Sequence, residues 1–257
     1  MKTLSFQQPW ASIICSGLKH VENRSWGLSN LPVRILIHAG AKKNGYFNDD
    51  DNMPEQWLSL VRNARTMGYL PETADLPYSA ILGWADVVRC DEPGKNDSEI
   101  WADNNDTGWV LEKVHVFDKP IENVKGKLGL FDYPLDEDSL PPSHPAIFKD
   151  PEVKGDEVIM PINDKLWESL VSGEMKEIIY DLTDDNAYSF MDENWNIKPF
   201  KKITLTNNGC SATYELTGDT FVDTYIDENE QPYMFTGLDG QECQWVFVQF
   251  ALGERIK

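Results

Sequence analysis

The order of apolar and polar positions divides the chain into short elements. Thr3 to Phe6 reads as a strand, and Trp10, Ile13, Ile14 and Gly17 then follow the i, i+3, i+4, i+7 spacing of a helix. Pro9 suits the first helical position and Gly17 the C-terminal stop. His20 to Trp26 reads as a strand, and Val33 to Ala39 as a stronger, mostly buried one. Residues 54–67 carry Trp57, Leu58, Leu60 and Val61 in a helical pattern, within an exposed acidic insertion that begins at Asp49-Asp50-Asp51. Ala80 to Val88 and Trp109 to Phe117 read as strands, separated by a polar, loop-like stretch at 91–106, and Gly126 to Phe131 closes the unit. One helix followed by mostly non-local strands predicts an α+β fold, a small mixed β-barrel with flanking helices.

The second half repeats the plan. Glu157 to Ile162 is strand-like, Asn163-Asp164 can cap a helix from Lys165 to Ser172, and Gly173 ends it. Met175 to Leu182 reads as a strand, 183–194 as a polar stretch with a short helix, and strands follow at Phe200 to Thr206, Ala212 to Phe221 and Gln244 to Leu252. Laid without a gap, Trp10 to Lys19 and Trp167 to Lys176 share Trp, Ser and Lys, and pair Ile13 with Leu170, Ile14 with Val171 and Leu18 with Met175. The same order of elements on both sides predicts a tandem duplication. Pro134 to Pro145 holds four prolines and three acids without periodicity, a composition that suits a linker. The expected division is therefore a first domain at 1–133, a linker at 134–154 and a second domain at 155–257.

Charge changes this picture. The 257 residues hold 23 Lys+Arg against 43 Asp+Glu, a net charge of −20. Residues 1–148 carry 14 against 21, and residues 149–257 carry 9 against 22, so the second half is the more acidic and suits a basic protein partner. A field of this sign repels phosphates at long range and argues against duplex DNA and anionic membranes, while leaving room for a local pocket of its own sign. Cys15, Cys90, Cys210 and Cys243 are far apart with no CxxC pair, which reads as reduced thiols in a cytoplasmic protein without disulfides or a Cys-based metal site. The first residues lack a secretory apolar core, and no apolar run approaches 18 residues. There is no Gly-rich phosphate loop, HExxH, G-x-S-x-G or EF-hand spacing, and no cofactor is expected.

One short motif carries candidate chemistry. Gly17-Leu-Lys19-His-Val-Glu22-Asn-Arg24 spells G-x-K-x-x-E-x-R after a helix opened by Gln-Pro-Trp-Ala-Ser. With Ile37-His38-Ala39, Gly108-Trp109-Val-Leu-Glu112 and Val124-Lys-Gly126-Lys-Leu-Gly129-Leu-Phe131, it resembles the ASCH family, a branch of the PUA-like superfamily that includes the YTH and EVE domains. The resemblance covers most of 1–133. Residues 155–257 look like a second, diverged PUA-like unit, with Lys176 kept, Ile179 in the place of Glu22 and Asp181 in that of Arg24. The resemblance implies a cleft used for single-stranded RNA or one nucleoside-sized group.

The residues support a site on their own terms. On a strand, His20, Glu22 and Arg24 share one face, and Val21 and Asn23 the other. Lys19, Glu22 and Arg24 together offer two cations and one acceptor, suited to a base amine and a phosphate or carbonyl oxygen. Trp10, Trp26 or Trp109 could supply a stacking face, and His38 and Glu112 are further candidates for the cleft lining. Blander roles fit the same residues: Trp10 as core, Glu22–Arg24 as a plain ion pair, and His38 as a hydrogen-bonded core histidine. Trp109 and Glu112 lie on opposite faces of their strand.

Three functions follow. The first is RNA or nucleotide binding in the Lys19–Glu22–Arg24 cleft, with a basic patch drawn from Lys42-Lys43, Arg62, Arg65, Lys125 and Lys127. The second is hydrolysis of an acylated nucleoside. Some ASCH proteins resemble amidohydrolases that use a Lys, a Thr and a Glu; Lys19 matches the Lys, but Glu22 replaces the Thr and its hydroxyl, leaving Lys19 and Glu22 as the acid–base pair. The third is protein interaction through the acidic half.

Overall fold

The computed structural model describes residues 1–41, 55–95, 100–103, 105–183, 186–236 and 241–257. The chain divides into Met1–Asn52 with Leu70–Phe148, and Met53–Tyr69 with Lys149–Lys257.

The first unit runs β1 (Lys2–Phe6), α1 (Trp10–Cys15), β2 (Val21–Arg24), β3 (Val33–Ala39), β4 (Ala80–Asp91), β5 (Thr107–Ile121), β6 (Leu130–Asp132) and β7 (Ser143–Pro145). They form one curled half-barrel sheet in the order β2-β5-β4-β3-β1-β6, with β7 paired to β5. β1 and β3 are parallel, and the other pairings are antiparallel. The period of two explains β3. Ile35, Ile37 and Ala39 pack with Leu4, Phe6 and Ile14, while Leu36 packs with Ile81, Trp84, Phe117 and Val124 in a separate cluster. Burial on both faces is why this strand reads as an almost unbroken apolar run.

Local chemistry fixes how α1 enters and leaves. Pro9 is the N-cap rather than the first helical residue, and its ring offers no acceptor to the orphan amides. Gln8 supplies one instead: its Oε1 accepts from Ser12 N at 3.1 Å, and its Nε2 donates to Ser12 Oγ and to the Pro77 carbonyl. After the helix, Gly17 adopts φ +80°, and a Cβ there would lie 2.9 Å from the Ala146 carbonyl oxygen and the Phe148 amide. Only glycine meets both demands.

Two sequence expectations for this unit are corrected. The Pro- and acid-rich stretch is not a free linker: Glu137–Ser139 forms a capped 3₁₀ turn and β7 joins the sheet, so the unit extends to Phe148. The polar loop after β4 also carries two buried anchors, Ile100 and Trp101.

The second unit contains α2 (Glu55–Thr66), β8 (Glu152–Lys154), β9 (Glu157–Pro161), α3 (Asp164–Val171), β10 (Glu177–Leu182), α4 (Ala187–Phe190), β11 (Lys202–Asn207), β12 (Cys210–Leu216), β13 (Phe221–Thr224), β14 (Met234–Thr236), β15 (Glu242–Gln244) and β16 (Val246–Arg255). Its sheet order is β10-β16-β12-β11-β9-β8, with β13 on β16, β9 parallel to β11, and β14–β15 as a separate hairpin. From β2 to β1 and from β10 to β9 the two orders coincide; the parallel strands are separated in sequence by α1 and β2 in the first unit, and by α3, β10 and α4 in the second. They differ at the edge: the outer strand follows the sheet in the first unit, as β6, and precedes it in the second, as β8.

The helix predicted at 54–67 forms, but not as an exposed insertion. Leu58, Leu60, Val61 and Ala64 are buried, and the helix belongs to the second unit. Asn63 holds it to β10 by donating to the Asp181 carbonyl at 2.8 Å and accepting from the Asp181 amide at 2.9 Å. Beside them Tyr225 donates to Asp181 Oδ1, and Arg62 lies 3.6 Å from Oδ2. Burial raises the Asp181 pKa against the pull of Arg62 and of that hydroxyl. The acidic run at 49–51 lies outside the described residues.

Candidate functional site

A cleft of about 950 Å³ opens in the first unit where β1 and the parallel β3 end. Ser5, Phe6 and Gln7 come from the end of β1, Gly40 and Ala41 from the end of β3, Ser79 from the entry to β4, and Trp10 from the start of α1. Glu22 and Arg24 contribute from β2, and residues Asn123 to Gly129 form the remaining wall. The period of two puts Glu22 and Arg24 on the same face of β2, as the sequence predicts.

Glu22 is the centre of a buried charge network. Its Oε1 accepts from Arg24 Nη2 at 2.9 Å, and its Oε2 lies 3.5 Å from Lys19 Nζ. Lys19 is itself buried, at 3% exposure. Its ammonium donates to the Val21 carbonyl and lies 5.8 and 5.7 Å from the ring centres of Trp10 and Trp101. Those indoles meet edge to face at 6.5 Å. Lys19 thus lies behind Glu22 and holds it, while Arg24 and Glu22 face the cleft. Arg24 also donates to the Ser5 carbonyl at 3.2 Å and rests over the Phe6 ring. Its Nε is buried and has no partner among the described residues.

His38, a further candidate for the lining, does not itself line the cleft but lies beneath it, behind Ser5. It is fully buried, and Ser5 stands beside it in the β1–β3 register. Its Nε2 lies 3.0 Å from the Val124 carbonyl, which can only accept, so Nε2 carries the hydrogen. Nδ1 then accepts from the Ser5 hydroxyl at 3.0 Å. Burial pushes the imidazole pKa below its ordinary value of 6.5, against the Val124 carbonyl, which favours the charged ring. Gly126 closes over this pair: a Cβ there would lie 2.7 Å from His38 Cε1 and 2.8 Å from Ser5 Oγ.

These contacts place the G-x-K-x-x-E-x-R motif, the His38 strand and the Gly126 loop in one site. Residues 4–121 match the family model of the ASCH domain. A search of curated proteins finds no significant match. The ASCH match takes in Ser5, Trp10, Lys19, Glu22, Arg24 and His38, and stops just before the wall at 123–129.

Several expected residues lie elsewhere. Trp109 is fully buried in the core, and its Nε1 donates to the Trp26 carbonyl. Trp26 packs edge to face on it at 4.6 Å. Both indoles are therefore committed to packing, and neither lines the cleft. Glu112 is exposed and registered against Asp86 on β4, also away from the lining. Gly17 serves the turn. Of the expected basic patch, Lys125 and Lys127 line the cleft, Arg62 and Arg65 belong to the second unit, and Lys42-Lys43 lie outside the described residues. Sequence reasoning missed Ser5, whose one signal is its position out of phase with the core residues Leu4 and Phe6. It also missed Trp101, an apolar anchor inside a polar stretch.

The second unit does not repeat this chemistry. Gly17 and Gly173 both take left-handed conformations, and β2 and β10 each begin four residues later. Glu22 and Arg24 thus correspond to Ile178 and Tyr180, one residue earlier than the gap-free alignment places them, and both are buried. The unit has a cavity of about 290 Å³ lined by residues including Leu182, Ala187, Met191, Trp195 and Val246, with no charged side chain in its lining.

Among the described residues no His, Cys, Asp or Glu cluster could hold a metal, and no helix is long and apolar enough to cross a membrane.

Proposed function

We propose that the first unit binds single-stranded RNA or a nucleotide in this cleft. The base lies against Trp10 and the Arg24 guanidinium, and the phosphates run toward Lys125 and Lys127. One observation carries the reading: in a chain of net charge −20, the cleft lining holds Arg24, Lys125 and Lys127 against the single carboxylate of Glu22. A local cationic wall beside an indole is the usual combination for unstacked bases and their backbone. The ASCH match over 4–121 adds weight, since that domain is generally a nucleic-acid-binding type of module, and the PUA-like resemblance points the same way.

Binding is favoured over nucleoside hydrolysis by the use to which Lys19 is put. Its ammonium is engaged by Glu22 and the Val21 carbonyl, which suits holding a carboxylate more than moving a proton. The test is fluorescence anisotropy with labelled single-stranded RNA, at low and at physiological salt, on the wild type and on Lys125→Glu/Lys127→Glu. Saturable binding weakened at least tenfold by the double reversal supports the reading. No binding by the wild type, or binding unchanged by the reversal, overturns it and turns attention to a basic partner of the acidic half.

A further inference from the structure

We infer that the second unit carries a binding site of its own, a pocket for a small aromatic amine with a ring system of about two fused rings. The site is the cavity of about 290 Å³. Leu182 reaches it from the end of β10, Ala187 from α4, Met191 and Trp195 from the segment after α4, and Val246 from the start of β16. Thr183, Cys243 and Gln244 complete the lining with polar, uncharged groups. An apolar wall broken by a few polar groups is the usual make-up of a small-molecule pocket. A cavity of about 150 Å³ takes up one benzene ring, so this volume suits a bicyclic one.

Trp195 distinguishes the cavity from a packing gap. It is 62% exposed, and Tyr188, whose ring lies 5.7 Å away, is 69% exposed. Trp195 also holds φ +60°, a left-handed conformation that is costly for a bulky side chain. The loop is built to keep it there. Met191 and Ile197 bridge across its base, and the Asp192 carboxylate accepts from the Asn194 and Asn196 amides, each at 2.9 Å. Strain maintained at a mostly exposed indole adds little to packing and is the mark of a ligand clamp.

Charge decides which aromatic ligand fits. None of these lining side chains is charged, so an ionised group on the ligand finds no counter-charge inside and stays at the mouth, in water. There it meets an acidic unit. Residues 149–257 hold 9 Lys+Arg against 22 Asp+Glu. Asp192 and Glu193 lie exposed in the loop that carries Trp195, and Glu242, also exposed, directly precedes Cys243. The cation of this segment, Lys198, is turned onto the Tyr188 and Ser189 carbonyls, 2.7 and 3.1 Å away. Such a field draws in an ammonium and repels a carboxylate or a phosphate. The ring therefore enters against Trp195, and the amine remains outside among the carboxylates.

The experiment is isothermal titration of the full chain with tryptamine, indole and indole-3-acetate, which share one ring system and differ in charge, at low and at physiological salt. Tryptamine should bind about threefold more tightly than indole and about tenfold more tightly than indole-3-acetate, with both gaps narrowing as salt rises. Trp195→Gly suits the left-handed backbone and removes the ring. It should lose about tenfold in tryptamine affinity, the scale of one lost stacking partner, while melting no lower than the wild type. Failure of all three compounds to bind, or equal affinities for them, would overturn the assignment. Tryptamine binding that survives Trp195→Gly would place the amine elsewhere, the cleft beside Trp10 included, and overturn it as well. So would a marked fall in the melting temperature of Trp195→Gly, which would make the indole a packing residue.

Discussion

Lys19 Nζ lies 3.5 Å from Glu22 Oε2, with the lysine side chain 3% and the glutamate side chain 11% exposed. Two such charges are tolerable away from water only because each has further partners: the Val21 carbonyl for Lys19 and Arg24 for Glu22. The two are not equally replaceable. Glu22→Gln removes the carboxylate that both Lys19 and Arg24 face and should cost on the order of 3 kcal/mol. Lys19→Met leaves Glu22 its Arg24 partner and should cost clearly less. Chemical denaturation of both variants measures the difference, and equal losses would contradict this asymmetry.

His38 makes the first unit sensitive to acid. Its pKa is depressed in the folded protein, so below about 6.5 the unfolded chain binds a proton that the folded one refuses. Stability should thus be complete above the ordinary pKa and fall as pH drops through the window beneath it, at no more than about 1.4 kcal/mol per pH unit. His38→Gln should flatten that slope. Denaturant midpoints between pH 5 and 7.5, for both proteins, decide it.

Gly126 should not accept even a methyl group. Its Cβ would meet the His38 ring and Ser5 Oγ well inside contact distance, and His38 has no free space to retreat into. Gly126→Ala should cost about 1–3 kcal/mol and weaken any cleft ligand. Gly218→Ala, where a Cβ meets open space, should be nearly silent in the same thermal melts.

If Lys125 and Lys127 each neutralise one RNA phosphate, replacing either by alanine should reduce the slope of log K against log salt by about 0.7. Trp10→Ala should weaken binding without changing that slope. Titrations at four salt concentrations separate the two effects.

Asn63 substitutes for a strand neighbour. Both ends of its amide serve the Asp181 backbone, and it is 2% exposed. Asn63→Leu would leave the buried Asp181 amide without its partner, a loss of about 1–3 kcal/mol. The Asp181 amide should then exchange with deuterium faster than its β10 neighbours.

What the sequence disclosed followed from periodicity and turn chemistry. Val33–Ala39 is found as predicted because apolar residues on both faces leave no other reading, and Gly17 because helix exit demands φ > 0. The shared face of Glu22 and Arg24 was legible for the same reason: alternation assigns faces. Alternation does not say what covers a face, so Trp109 and Trp26 read as stacking platforms although each packs against the other. Composition misled at 134–145, where prolines and acids concealed β7. The repeat was visible, but aligning it on Trp10 and Trp167 slipped it by one, because the left-handed glycines rather than the tryptophans keep the register. The apolar stripe of α2 was equally plain, yet a stripe carries no address for the sheet that receives it.

That address has consequences for how the protein is made. The chain writes α2 between β3 and β4, but Leu58, Val61 and Ala64 are buried in a unit whose strands begin only at Glu152. During synthesis the first sheet can close while it still trails a sticky helix. That helix stays a liability until β10 leaves the ribosome. A gene fragment cut to the ASCH boundaries would keep it in that state permanently. Any rearrangement that separated the halves would orphan both, which gives a simple reason for their staying on one polypeptide.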